Sequence, residues 1–175
     1  EALAVLGNIE NPAHYWECVK TLLAMTSTVD PNRVLDWITK NLETLPEDVA
    51  RSGGFLLGRH ANFENVPEVI LNQSKLFEAY FKGLSWVEPS ISGGLLKGIQ
   101  DEKKAAEAYQ MTLEHNLNNY STVIPIEQQL DWFSHIENEQ KRKDVAGMMA
   151  YQWALKDPNK AAAWALELHE LERGT

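Results

Sequence analysis

Asp30-Pro-Asn-Arg-Val-Leu-Asp-Trp37 and Asp157-Pro-Asn-Lys-Ala-Ala-Ala-Trp164 are nearly one phrase written twice. Each opens on Asp-Pro-Asn, continues with a basic residue, and reaches Trp seven residues after the Asp. An aspartate carboxylate ahead of a helix accepts hydrogen bonds from unpaired backbone N–H groups. Proline suits the first helical position, where its missing N–H would have had no partner. The two stretches therefore predict helix starts with Asp30 and Asp157 as N-caps and Pro31 and Pro158 at N1. Trp37 and Trp164 are expected to be buried against the preceding helix. The other prolines stand at 12, 46, 67, 89 and 125, and most precede further stretches with helical periodicity. Val145, Met148, Met149 and Trp153 keep i, i+3/i+4 spacing within 140–156, as do Ala105, Ala108, Tyr109 and Leu113 within 102–117. Alternating strands bounded by Asn-Gly or Asp-Gly turns are absent from the sequence. The expected fold class is all-α.

The two Asp-Pro-Asn starts lie 157 − 30 = 127 residues apart, close to four units of about 32, a spacing typical of two-helix repeats. Leu35-Asp-Trp37 recurs as Leu130-Asp-Trp132, and Ser52-Gly-Gly-Phe-Leu-Leu-Gly58 recurs as Ser92-Gly-Gly-Leu-Leu-Lys-Gly98. These echoes predict one domain over 1–175, a right-handed α-α superhelix of about five helix pairs. The pairs fall at about 12–44, 46–73, 74–100, 102–138 and 140–172, with residues 1–9 closing an earlier unit and 118–124 as the longest interhelix loop. The chain opens without an initiator Met or a basic leader and stops just after an apolar helical stretch. It therefore reads as a piece of a longer protein.

The segment Trp132-Phe-Ser-His-Ile, Asp144-Val-Ala, then Trp153-Ala-Leu-Lys-Asp157-Pro-Asn-Lys-Ala161-Ala-Ala-Trp164-Ala-Leu-Glu-Leu resembles a known kind of tandem repeat. It is similar to the Trp-Ala-x-x-Asp-Pro-x-x-Ala-x-x-Trp-Ala helical repeats of long bacterial proteins, themselves similar to tetratricopeptide and HEAT-type solenoids. The match covers about 130–172, is partial over 12–50, and is poor over 62–125. The resemblance implies a scaffold that binds other macromolecules and brings no catalytic residues with it.

The 175 residues hold 16 Lys+Arg against 25 Asp+Glu, a formal net charge of −9. A pI near 5.0 argues against nucleic acid or an anionic membrane surface as partner, because both need a basic face. It points instead to a protein or peptide partner, basic rather than acidic. No apolar run approaches the roughly 18 residues of a membrane span. The single cysteine, Cys18, excludes an intramolecular disulfide framework and a Cys-based zinc site. The absence of a disulfide framework leans toward the cytoplasm. Cys18 sits mid-helix and reads as a small buried hydrophobe rather than a nucleophile.

Six tryptophans, at 16, 37, 86, 132, 153 and 164, are the heaviest feature of the composition. A groove for peptide, sugar or lipid is one reading. Core packing is the other, because stacked units bury their faces only against neighbours and a large flat residue suits that seam. Trp37, Trp132, Trp153 and Trp164 occupy repeat-like positions and are expected in the core. Trp16 and Trp86 have no equivalent. With His14 and Tyr15 they form the candidate partner-binding set: His14, Tyr15, Trp16 and Trp86.

The two Ser-Gly-Gly stretches lack the Gly-Lys-Ser/Thr and the preceding strand of a phosphate loop. Gly54 with Gly58, and Gly94 with Gly98, fall on one helix face each, where bare backbone permits close helix packing or, alternatively, a seated ligand. The five histidines show no metal-ligand spacing, and no Gly-x-Ser-x-Gly elbow is present. No catalytic residue, cofactor or metal is expected. Lys141-Arg142-Lys143 and Lys103-Lys104 are flanked by acids and read as solvated charge. The expected function is a non-catalytic helical-repeat scaffold presenting a protein- or peptide-binding surface. Two alternatives are a helical accessory domain of an enzyme whose catalytic part lies outside this chain, and an enzyme using a pocket at the glycines.

Overall fold

A computed structural model describes residues 9–60, 63–119 and 124–173, without the side chains of 169–173. The expected closing segment at 1–9 and the 118–124 loop lie mostly outside the described residues, as does the His169 side chain. Every described element is helical: α1 (Pro12–Ser27), α2 (Pro31–Asn41), α3 (Glu47–Arg59), α4 (Glu68–Asn72), α5 (Ser74–Leu84), α6 (Pro89–Lys97), α7 (Glu102–Asn119), α8 (Ile126–Ser134), α9 (Glu139–Ala154) and α10 (Pro158–Arg173). The protein is all-α over the described residues.

All seven prolines stand at helix starts. Pro12, Pro31, Pro89 and Pro158 are first residues, and Pro46, Pro67 and Pro125 immediately precede α3, α4 and α8. The caps follow the same chemistry. Asp30 Oδ1 accepts from the Arg33 N–H at 3.0 Å and Asp157 Oδ1 from the Lys160 N–H at 3.1 Å. Asn11 caps α1 and Asn138 caps α9 in the same way. Each such cap satisfies a donor that the helix leaves unpaired.

The odd-numbered helices form a row: α1 packs on α3, α3 on α5, α5 on α7, and α7 on α9. They run parallel. Lys20 meets Asp48 while Leu23 lies by Gly53, and Arg51 meets Glu78 while Gly58 lies by Tyr80 and Leu84. Further along, Thr112 reaches Phe81 and Asn116 reaches Ser85, then Lys141 meets Glu114 and Gln152 meets Leu117. The even helices lie against this row, α2 on α1 and α3, α4 on α5, α6 on α7, α8 on α7 and α9, and α10 on α9. A single core fills the space between, with Ile38, Leu57, Leu76, Tyr80, Phe81, Leu84, Leu96 and Leu113 all fully buried. Each such side chain contributes roughly 1.5–3 kcal/mol by leaving water.

The α3–α5 seam is the closest. A methyl group at Gly58 would overlap the Tyr80 carbonyl, and one at Gly83 the Phe55 carbonyl. At Gly54 it would sit 3.0 Å from the Leu76 carbonyl oxygen. Glycine is required here because backbone meets backbone, so no ligand seats at Gly54 and Gly58. The second stretch differs from the expectation of matching close packing. Gly94 is exposed with nothing within 4 Å, and Gly98 lies past the end of α6 near Asn65. Gly93 is the tight one, under Gln128 and Trp132 of α8.

Three further expectations are corrected. Trp37 and Trp164 are half-buried at the edge of the core rather than enclosed, whereas Trp132 and Trp153 are 1% and 7% exposed. Trp164 stands edge-on to Phe133 and beside Trp153 on the preceding helix, at 5.8 and 4.8 Å between ring centres. Cys18 is exposed, since no described helix covers its side of α1.

Candidate functional site

On the face of the odd row turned away from the even helices, charged side chains join helix to helix. Lys20 binds Glu17 of its own helix at 2.6 Å and Asp48 of α3 at 3.1 Å. Arg51 binds Glu47 of its own helix and Glu78 of α5, both at 3.0 Å. Lys82 binds Glu78 at 2.6 Å, and Lys141 of α9 reaches Glu114 of α7 at 3.6 Å. Lys20, Arg51 and Lys82 follow one another at intervals of 31 residues, on the same face of three successive odd helices. The interval is legible in the sequence. It escapes a reading based on Asp-Pro-Asn starts and aromatic residues, because charge runs ordinarily mark solvated surface.

Two depressions lie along this face and share Lys82. One, about 540 Å³, spans α1, α3 and α5 and includes Ala24, Phe55 and Ala79 between the charges. The other, about 410 Å³, spans α5, α7 and α9 and includes Gln110, Met111, His115 and Asn118. Together they make a shallow groove crossed by charged side chains, apolar between them at Ala24, Phe55 and Ala79 and mostly polar around Met111. Ion pairs at such exposure add little stability, but they hold long side chains in fixed positions across the seams.

The charges perturb one another in consistent directions. Lys82 and Arg51 hold the Glu78 carboxyl below its ordinary range. The hydrogen bonds that Lys20 donates to Glu17 and Asp48 raise it, and those that Arg51 donates to Glu47 and Glu78 raise it likewise. His115 is lowered, first by burial and then by Lys82. None of these shifts produces an acid–base pair poised near neutrality.

The candidate set from the sequence is divided by the fold. Tyr15 and Trp16 meet edge to face at 4.8 Å, both half-buried, with His14 exposed beside them. Trp86 is 39% exposed and follows the C-terminal end of α5, with the Arg59 guanidinium 5.5 Å above its ring. Because the odd helices run parallel, Trp16 near the start of α1 and Trp86 past the end of α5 lie at opposite edges of the row. The structure brings His14, Tyr15 and Trp16 together and leaves Trp86 apart.

The basic runs also resolve into local contacts. Lys143 pairs with Glu139, Arg142 lies over the Phe133 ring, and Lys104 donates to Asn72. A third depression, about 510 Å³, brings Ser134 and His135 near Glu102 and Glu137. Its Ser134 hydroxyl donates to the Asp131 carbonyl, and His135 stacks on Tyr109 at 4.2 Å. The pair is not arranged as nucleophile and base. Among the described residues no cluster of three His, Cys, Asp or Glu is placed to hold a metal ion, and no helix is long and apolar enough to cross a membrane.

No protein-family model, curated protein or solved structure matches this chain.

Proposed function

We propose that the chain is a helical-repeat scaffold, an α-α superhelix of five stacked helix pairs, whose odd-helix face holds a peptide or extended protein segment. The observation that carries this reading is the row of parallel odd helices bearing ion-paired basic residues at a 31-residue interval. A surface of repeated positions suits an extended ligand, which meets the same chemistry at each helix. On this face Glu17, Glu47, Asp48, Glu78 and Glu114 outnumber Lys20, Arg51, Lys82 and Lys141. With a net charge of −9, this favours a partner of basic or mixed charge. Such a partner exchanges the internal ion pairs for its own, while its apolar side chains seat on Phe55, Ala79 and Met111.

Fluorescence anisotropy with labelled peptides of basic, mixed and acidic sequence tests the proposal. Basic or mixed peptides bind, and Glu78→Lys with Glu114→Lys weakens them at least tenfold while circular dichroism stays unchanged. Equal binding by the double variant, or preference for duplex DNA over peptide at physiological salt, would overturn it.

A further inference from the structure

His115 is the one histidine among the described residues that lines the groove. It lies half-buried on α7, in the depression between α5, α7 and α9. Facing it there are Glu78 and Lys82 from α5, Lys141 from α9, and Glu114 beside it on α7. α6 and α8 pack elsewhere on α7 and bring no residue to this depression. Two carboxylates and two ammonium groups thus share one concave surface with a single imidazole. The carboxylates and ammonium groups keep their charges across the neutral range, and the imidazole alone changes its own there. With His115 neutral the depression is balanced in charge, and with His115 protonated it is positive.

The local contacts favour the neutral ring. The Asn119 amide nitrogen lies 3.2 Å from His115 Nδ1 and also donates to the His115 carbonyl at 2.8 Å. The second bond fixes which end of the amide faces the ring, so Nδ1 accepts and the ring proton sits on Nε2. A proton added at Nδ1 sets one N–H against another. Burial, and then Lys82, oppose the added charge and hold His115 below its ordinary value, with Glu114 pulling the other way. The two carboxylates differ in how closely they are held. Glu78 is gripped by Lys82 at 2.6 Å and Arg51 at 3.0 Å, whereas Glu114 has looser contacts, with Lys141 at 3.6 Å and the Gln110 amide at 3.3 Å. Glu114 is therefore the acid with acceptor capacity left for a partner's cation, and it stands next to His115.

We propose that His115 gates the groove: neutral, it leaves Glu114 open to a Lys or Arg of the bound segment, and protonated it offsets that carboxylate and repels the cation, so a basic segment is held near neutrality and released in mild acid. This deepens the groove reading above and rests on it. Partner and proton then oppose each other, and by linkage each weakens the other by the same factor. A bound basic segment lowers the pH at which His115 takes its proton. In return, one proton costs at most about tenfold in affinity per pH unit.

Fluorescence anisotropy with a labelled peptide of Lys, Arg and apolar residues, at fixed ionic strength from about pH 7.5 to about pH 5, tests it. Both peptide ends are blocked, so the peptide carries no group that titrates in this window. The expected wild-type affinity falls about tenfold toward the acid end, while that of His115→Gln does not vary with pH. His115→Lys, positive throughout, is expected to bind weakly at both ends, and circular dichroism checks that the variants stay folded. NMR of the wild-type His115 ring needs no variant: its titration midpoint moves down when the peptide binds. A wild-type affinity flat with pH, the same loss in His115→Gln, or a midpoint unmoved by peptide would overturn the gate and leave the groove standing. A peptide that binds at no pH in the window would overturn the groove reading itself, and the gate with it.

Discussion

Gly54 and Gly94 hold the same place in two near-identical stretches and meet opposite surroundings. Gly54 faces the α5 backbone, whereas Gly94 faces open space. Sequence shows that a residue without a side chain is there. Only the neighbouring helix decides what the absence is for. Gly58→Ala, whose new methyl would overlap the Tyr80 carbonyl, is expected to lose about 1–3 kcal/mol or more, because two backbones must separate. Gly94→Ala, exposed within α6, is expected to gain about 0.5–1 kcal/mol from helix propensity alone. Urea unfolding of the two variants measures both, and the opposite signs are the point. The same contrast holds for Leu35-Asp-Trp37 and Leu130-Asp-Trp132: Trp132 is enclosed by α6 and α7 while Trp37 stays half-buried.

Helix starts are the most legible elements because their chemistry is local. An Asp or Asn cap and a proline act within one turn, so Asp30, Asp157 and all seven prolines stand where their types predict. Asp157→Ala is expected to cost about 0.5–2 kcal/mol, read by thermal or urea unfolding. Helix ends and side-chain burial depend on what packs from elsewhere, which is why Trp164 and Cys18 depart from expectation. Trp132→Ala is expected to cost about 3–5 kcal/mol, the loss of an enclosed ring. Trp164→Ala should cost distinctly less, because its ring only leans on Phe133 and Trp153. Equal costs would place Trp164 in the core after all. The charged groove was hidden for a related reason: Lys20, Arg51 and Lys82 become a series only when three helices stand side by side.

Across the whole molecule, burial of His115 and the ion pairs of Glu78 make stability depend on pH. His115 has an ordinary value of 6.5 and is lowered in the fold, so the unfolded chain takes up its proton first. Stability therefore rises with pH through this window, and falls as the pH drops below 6.5 until the native value is passed. Glu78, lowered from 4.5 by its ion pairs, contributes stability above 4.5 that is lost as the pH falls through its native value. His115→Gln should flatten the upper window and leave the lower loss in place, as followed by melting temperature against pH. A variant that keeps the full upper slope would show that His115 does not carry it.

The central claim is that the odd-helix face is where a partner lies. Amide hydrogen exchange, measured with and without the tightest-binding peptide, tests it most directly, because protection reports which helices the ligand covers. Added protection is expected along α3, α5 and α7, around Arg51, Lys82 and Gln110 to Asn118, with α6 and α8 unchanged. Protection confined to the even helices, or to Trp86 and the start of α6, would contradict it.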